Sequence, residues 1–148
     1  MCISITSLSA QHLDDVALLE SLCFSTPWSR SALEEELTNP CSRFLVAVSG
    51  KNVVGYLGCH HIAGEGYITN IAVHPEHRRQ GIACALISAA IQQGSALSRL
   101  TLEVRKSNAA AIALYESRGF VKDGVRPRFY TAPVEDACIY SYYYPETR

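Results

Sequence analysis

The stretch from residue 67 to residue 120 alternates twice between strand-like and helix-like patterns, and this order constrains the fold more than any other feature. An apolar run at 67–73 is typical of a strand, and a basic loop then leads into a helical pattern at 80–94. A second apolar run at 99–105 precedes a second helical pattern at 108–118. Two strands joined by a helix pair in parallel, so this stretch predicts an α/β fold with a parallel pair of strands.

The flanking segments predict antiparallel strands and two further helices. Strands are predicted at 3–8, 44–48, 53–60, 120–126 and 137–144, and helices at 10–24 and from Ser29 or Ser31 onward. Turns are predicted at 50–52 and 64–66, and Pro127 and Pro133 are assigned to the loop between the last two strands. No repeat or linker divides the chain, so residues 1–148 are predicted to form a single domain.

The start of the second helix carries an acidic run. Ser31 and Glu34 have the spacing of a capping box, and residues 34–36 are all glutamate, which suits the positive end of a helix dipole. An alternative is that this acidic run favours the binding of peptides that carry basic residues.

Composition excludes several classes of protein. The chain has no apolar run of the length that spans a membrane and no signal-peptide pattern, so a cytoplasmic protein without membrane contact is expected. A net charge of −1 argues against a nucleic-acid-binding surface. The six cysteines are scattered, so we expect reduced thiols, most of them in the core. His74 and His77 lack the further ligands of a zinc site, and no metal is expected.

The loop after the first strand of the central stretch has the properties of an anion-binding site. Arg78 and Arg79 supply positive charge, Gln80 supplies an amide, and Gly81 lets a ligand approach the backbone. The loop runs into a helix, whose first N–H groups lack partners within the helix and receive a phosphate well. Taken alone, the same residues also fit an ordinary surface loop.

Two motifs resemble those of the GNAT acetyltransferase superfamily. The first is Arg-x-x-Gly-x-Ala at 78–83, after a strand that ends Asn-Ile-Ala-Val-His-Pro. The second is Leu-Glu-Val-Arg-x-Ser-Asn-x-x-Ala-x-x-Leu-Tyr-x-x-x-Gly-Phe at 102–120. Pro27-Trp28-Ser29, together with Glu103 and Tyr115, resembles the bacterial RimI type, which acetylates the N-terminal alanine of a small-subunit ribosomal protein.

The resemblance implies a single GNAT-type domain with a mixed, mostly antiparallel sheet. Its central parallel pair is expected to splay apart at the cofactor site, with helices on both faces. Acetyl-CoA is the implied co-substrate. The residues expected to bind it are Ile71, Ala72, Val73, Arg78, Arg79, Gln80, Gly81, Ile82, Ala83, Cys84, Asn108 and Tyr115.

Glu103 and Tyr115 are the expected catalytic pair. Strand alternation puts Glu103 on the face opposite Leu102 and Val104, where partial desolvation favours a role as general base. The alternative is an ion pair with Arg105 or with another surface cation. Tyr115 is seven residues after Asn108, which is about 20° around an ideal helix, so both lie on one face. The resemblance implies that Tyr115 is the general acid; the alternative is a tyrosine packed on the sheet.

The acceptor side is less constrained by the sequence. Trp28 is expected either to line the acceptor groove or to cover the core, and Tyr130, in the loop before Pro133, is a second candidate for the groove. The expected acceptor is a protein N-terminus, since one modest base suits an α-amine better than a lysine. A lysine or small-molecule acceptor and a non-catalytic acyl-CoA-binding domain remain alternatives. The oligomeric state is left open, with a monomer favoured.

Overall fold

The computed structural model describes residues 2–145 of the chain. The strands are β1 (Ile3–Ser7), β2 (Leu45–Ser49), β3 (Asn52–Ile62), β4 (Glu65–Val73), β5 (Arg99–Arg105), β6 (Val121–Thr131) and β7 (Val134–Tyr143). The α-helices are α1 (Leu13–Cys23), α2 (Arg30–Glu36), α3 (Ile82–Gln93) and α4 (Ala109–Ser117). The strands form one sheet in the order β1-β2-β3-β4-β5-β7-β6.

The sheet is mixed, and helices cover both of its faces. β4 and β5 pair in parallel, whereas every other neighbouring pair of strands is antiparallel. One apolar cluster packs β2–β5 and β7 against α3 and Tyr115 of α4. A second packs the opposite face of β2–β4 against α1 and Leu33 of α2. The predicted α/β fold with one central parallel pair is confirmed.

The parallel pair separates half-way along its length. β4 and β5 are paired only from Glu65 opposite Arg99 to Ile68 opposite Leu102, although β4 continues to Val73. The separation coincides with an irregularity in β4.

That irregularity is a β-bulge at Thr69. Cys59 of β3 faces Ile68 and Gly58 faces Asn70, so Thr69 is the extra residue. A bulge bends its strand, which explains why β4 leaves β5 here. Gly58 makes room for it, because a Cβ at that position would lie 2.3 Å from Thr69 Oγ1 and 2.6 Å from Asn70 Oδ1.

The second helix begins at the first of its two predicted caps. Ser29 is the N-cap of α2, and its hydroxyl accepts a hydrogen bond from the Ala32 amide at 3.1 Å, so a cap at Ser29 is confirmed and the capping box from Ser31 is wrong. Because α2 ends at Glu36, the acidic run lies in its last turn, where the helix dipole disfavours carboxylates. The run is instead offset by an ion pair of Glu34 with Arg30 at 3.2 Å and by a hydrogen bond between Glu36 and His60 at 2.6 Å.

The last hairpin is longer than the sequence predicts. Pro127 and Tyr130 belong to β6 and not to a loop. β6 is an edge strand, where a missing N–H is tolerated, and its register shifts between Arg126 and Tyr130. Likewise, Glu65 and Gly66 belong to β4, so the turn before this strand is shorter than the one predicted at 64–66.

The cysteines are free, but most are not in the core. Cys59 and Cys138 are buried, Cys23, Cys41 and Cys84 are half-buried, and Cys2 is exposed. The expectation of mainly buried cysteines is therefore wrong. Within residues 2–145, no helix is long and apolar enough to cross a bilayer.

Candidate active site

A cavity of about 390 Å³ opens where β4 and β5 part. Six of the expected site residues, from distant parts of the chain, are among its lining residues: Trp28, Ile71, Glu103, Asn108, Tyr115 and Tyr130. The bulge and the separation of the parallel strands therefore create one space that α1, α4, β4, β5 and β6 all border.

Glu103 is a nearly buried carboxylate with two partners. Its side chain is 5% exposed, and the Tyr67 hydroxyl donates a hydrogen bond to it. Arg126 Nε lies 3.0 Å from Glu103 Oε2. Arg105 instead pairs with Glu135 at 3.2 Å, so an ion pair of Glu103 with Arg105 is absent, whereas the alternative of a pair with another surface cation is matched by Arg126. The predicted alternation of β5 is present, with Leu102 and Val104 buried on the opposite face.

Tyr115 borders the cavity from the α4 side. It packs against Phe120 at a ring-centroid distance of 5.9 Å. Burial raises the pKa of Tyr115 to about 12, so its phenol is protonated at neutral pH. Asn108 is the N-cap of α4, and its side chain accepts a hydrogen bond from the Ala111 amide at 3.2 Å. While capping α4, Asn108 also lines the cavity, so capping does not prevent it from contacting a ligand there.

Trp28 and Tyr130 face the cavity from the other side. The Trp28 ring packs on Phe44 at a ring-centroid distance of 5.8 Å and also lines the cavity, so it covers part of the core and borders the cavity at the same time. The Arg105 guanidinium carbon lies 4.3 Å from the centre of the Tyr130 ring, which fixes that ring by a cation–π contact. Burial, and secondarily the charge of Glu103, raise the pKa of Tyr130.

The basic loop lies outside the cavity lining, at the N-terminus of α3. Gly81 is the N-cap of α3 with φ +76°, and a Cβ built there would meet nothing within 4 Å. The helix therefore begins beside open space, with its first amides available to a ligand. Arg78 Nε donates to the Val73 carbonyl at 3.3 Å, which ties the loop to the end of β4. The side chains of Ala72 and Ile82 are buried, so these two residues offer only their backbone.

Two partners of Glu103 were not predicted from the sequence. Tyr67 was assigned only to a strand, and Arg126 lies on an edge strand with no motif around it. Strand alternation alone could not identify Tyr67, because its place beside Glu103 also depends on the register of β4 and β5, in which Tyr67 is opposite Thr101.

A buried acidic residue in α1 was also missed. Glu20 is 1% exposed and lines the cavity. Helical spacing could have found it, since Leu13, Val16 and Glu20 fall on one face and a carboxylate there is unusual. No group of three potential metal ligands occurs in the part of the chain that the structure describes.

Comparison with known proteins decides the family. The model of the acetyltransferase (GNAT) family matches residues 13–120. The chain belongs to the GNAT acetyltransferase family. The expected fold class and the expected class of enzyme, an acetyltransferase, are thereby confirmed.

Individual GNAT proteins match over nearly the whole chain. The chain is 34% identical to the [ribosomal protein bS18]-alanine N-acetyltransferase of Escherichia coli K12, over 92% of this chain and 94% of that protein. The crystal structure of the ribosomal-protein-S18-alanine N-acetyltransferase from Escherichia coli superimposes with a TM-score of 0.90 at 30% identity, covering 99% and 97% of the two chains. A chain of the NatC complex bound to Gag peptide and CoA superimposes with a TM-score of 0.83 at 25% identity, covering 98% and 100%.

Proposed function

We propose that this GNAT protein is an N-α-acetyltransferase. It moves an acetyl group from acetyl-CoA to the N-terminal amine of a protein, with Glu103 as general base and Tyr115 as general acid. The observation that carries the proposal is that these two residues, one from β5 and one from α4, line a single cavity at the gap between the parallel strands. The resemblance to enzymes named for alanine N-acetylation supports the same reaction.

Acetyl-CoA is held along the unpaired edge of β4 and at the start of α3. The backbone of 71–73 meets the pantetheine arm, and the amides of 82–84 meet the pyrophosphate beside Gly81. Arg78, Arg79 and Gln80 surround the phosphates, and Asn108 contacts the cofactor near the thioester. The open space beside Gly81 and the free amides of a helix N-terminus fit such a group.

Glu103 receives the proton of the acceptor amine, directly or through a water. Its low exposure limits competition from bulk water, and the Tyr67 hydroxyl orients the carboxylate. Arg126 is more than half exposed and occupies the second oxygen, where an incoming ammonium group can replace it. The neutral amine then attacks the thioester carbonyl, and the C–N bond forms as the C–S bond breaks.

Tyr115 supplies the proton for the departing thiolate. Its raised pKa of about 12 keeps the phenol protonated throughout the neutral range, which a general acid requires. An ammonium acceptor loses two protons when it becomes an amide. Glu103 takes the first and later returns it to solvent, and the second leaves the nitrogen after attack and restores the phenol of Tyr115, which has given its own proton to the sulfur.

The acceptor is an α-amine, with the N-terminal alanine of a small-subunit ribosomal protein as the proposed substrate. A protein α-amine has a pKa near 8 and lysine one near 10.4, so deprotonating lysine at neutral pH costs roughly 3 kcal/mol more. A single carboxylate base is better matched to the α-amine. Trp28 and Tyr130 form the walls between which the first residue of the acceptor enters.

A thiol-release assay tests the proposal. Acetyl-CoA is supplied with one of three acceptors. The first is a peptide that begins with a free alanine, the second is a peptide that contains lysine but has a blocked N-terminus, and the third is a polyamine. We expect release only with the free alanine peptide. Release with the blocked peptide or the polyamine would identify a lysine or small-molecule enzyme, and release with none of them would contradict the proposed activity.

A further inference from the structure

Glu20 is a buried carboxylate that the proposed chemistry does not use. It lies near the end of α1, is 1% exposed, and lines the cavity. A carboxylate is costly to bury unless hydrogen bonds satisfy it. Its partners therefore indicate what its burial achieves.

Three donors from three different segments converge on Glu20. The Trp28 amide donates to Oε1 at 2.7 Å, and Asn70 Nδ2 donates to Oε2 at 2.8 Å. The Tyr56 hydroxyl also donates to Oε2. Asn70 in turn accepts a hydrogen bond from Thr69 Oγ1 at 2.7 Å, which extends the network to the β4 bulge.

These contacts join the two sides of the site. Residues Phe24, Ser25, Thr26 and Trp28 form a loop that walls the cavity, and we call it the acceptor loop. Thr69 and Asn70 form the bulge at which β4 leaves β5. Glu20 is the group through which the acceptor loop is hydrogen-bonded to the bulge.

We propose that Glu20 is a positioning residue that fixes the acceptor loop, and with it the Trp28 wall, against the bulge in β4. Both carboxylate oxygens are already occupied and the side chain is almost inaccessible, so Glu20 acts through Trp28 and Asn70, and not by binding the acceptor amine itself. The consequence for acceptor binding rests on the proposed function, whereas the fixing of Trp28 does not.

The first test uses Trp28 as its own probe, since it is the only tryptophan of the chain. In Glu20→Gln the side chain keeps its size, but one of its two oxygens becomes an NH₂ group, which is a donor. In one orientation of the amide this group faces the Trp28 N–H, and in the other it faces the Asn70 NH₂ group, so one of the two hydrogen bonds that join the loop to the bulge is lost. We expect acrylamide to quench Trp28 fluorescence more strongly in this variant than in the wild type. Asp15→Asn is the matched control, because Asp15 lies on the same helix and accepts the Val53 amide at 3.0 Å. Its quenching should equal that of the wild type.

The second test separates positioning from general stability. At a temperature well below unfolding, Glu20→Gln should raise KM for the alanine peptide by about tenfold, the worth of one hydrogen bond to a charged group. We expect unchanged acetyl-CoA affinity, and a smaller change in kcat than in KM. A lower unfolding temperature with unchanged quenching and unchanged peptide KM would overturn the proposal and leave Glu20 a purely structural residue.

Hydrogen exchange of the wild type provides a test that needs no variant. The Trp28 amide should exchange more slowly than that of the exposed Thr26, because only the former donates to a buried carboxylate. Equal exchange of the two amides would overturn the proposal. If the wild type acetylates no peptide, the proposed function fails, but quenching and exchange still decide the role of Glu20.

Discussion

The hydroxyl of Tyr67 donates a hydrogen bond to the carboxylate of Glu103 across the parallel strand pair. Tyr67 is directly opposite Thr101, so Glu103 is the next residue on the same face of β5. The strands part immediately beyond this point, after the pair Ile68–Leu102. The contact therefore fixes the carboxylate at the mouth of the gap that forms the cavity.

Replacing Tyr67 by phenylalanine should impair turnover without affecting cofactor binding. The change removes one donor to a charged acceptor, worth about 1.5 kcal/mol, and we expect kcat to fall on the order of tenfold. Steady-state kinetics with the alanine peptide measures this effect. Tyr143→Phe is the control, because Tyr143 donates to the Asp123 carboxylate at 2.7 Å outside the cavity lining. Equal rates in the two variants would exclude an orienting role for Tyr67.

The raised pKa of Tyr115 predicts the alkaline behaviour of the enzyme. The protonated phenol is the competent acid, and a raised pKa extends that form to higher pH. Wild-type kcat should therefore show no decline centred near pH 10, where an ordinary tyrosine ionises. Tyr115→Phe should lower kcat at every pH, since alkaline solution supplies no proton to the thiolate. A wild-type decline near pH 10 that is missing in Tyr115→Phe would contradict the raised pKa, and a Tyr115→Phe variant with the kcat of the wild type would refute the role of Tyr115 as general acid.

Valine at Gly81 should weaken acetyl-CoA binding. Its side chain would fill the space beside the first amides of α3, and φ +76° adds backbone strain. Gly50→Val is the matched control, since Gly50 has φ +62° and equally open surroundings in the β2–β3 turn. Both variants should lose similar stability in thermal unfolding, but only Gly81→Val should lose affinity in calorimetry. Equal acetyl-CoA affinity in the two folded variants would remove the loop from the cofactor site.

Alanine at Gly58 should disturb the bulge that separates β4 from β5. Its Cβ would overlap Thr69 Oγ1 and Asn70 Oδ1, and overpacking of this kind costs about 1–3 kcal/mol in unfolding free energy. Gly124→Ala should be tolerated, because its nearest neighbour lies at 3.8 Å. Urea unfolding of both variants measures the difference. A fully stable Gly58→Ala would show that the bulge does not depend on that space.

The sequence predicted the order of the elements well, because apolar periodicity and turn residues are local signals. Glu103 and Tyr115 could also be predicted as candidate catalytic residues. They belong to one continuous motif, in which β5 holds Glu103 and α4 holds Tyr115. The partners Tyr67 and Arg126 depend on the register between strands and on an irregular edge strand, which no local pattern encodes. The same limit explains why Pro127 was assigned to a loop, since only its place at the sheet edge makes it compatible with β6.

The acidic run at 34–36 illustrates a second limit. Its residue types fit the first turn of a helix, but the helix begins one residue after Ser29 and ends within seven residues. An ion pair with Arg30 and a hydrogen bond with His60 of β3 compensate the unfavourable position. A contact between α2 and a distant strand cannot be read from the local pattern.

The pH dependence of Glu103→Gln tests the central claim most directly. Glutamine keeps the shape of the side chain but cannot take a proton, so thiol release at pH 7 should fall on the order of 10²–10⁴-fold, with acetyl-CoA affinity unchanged. Between pH 7 and pH 9 the loss should be partly relieved, because an α-amine with a pKa near 8 then deprotonates unaided. A folded Glu103→Gln enzyme whose deficit stays constant from pH 7 to pH 9, or whose rate equals that of the wild type, would show that Glu103 is not the base.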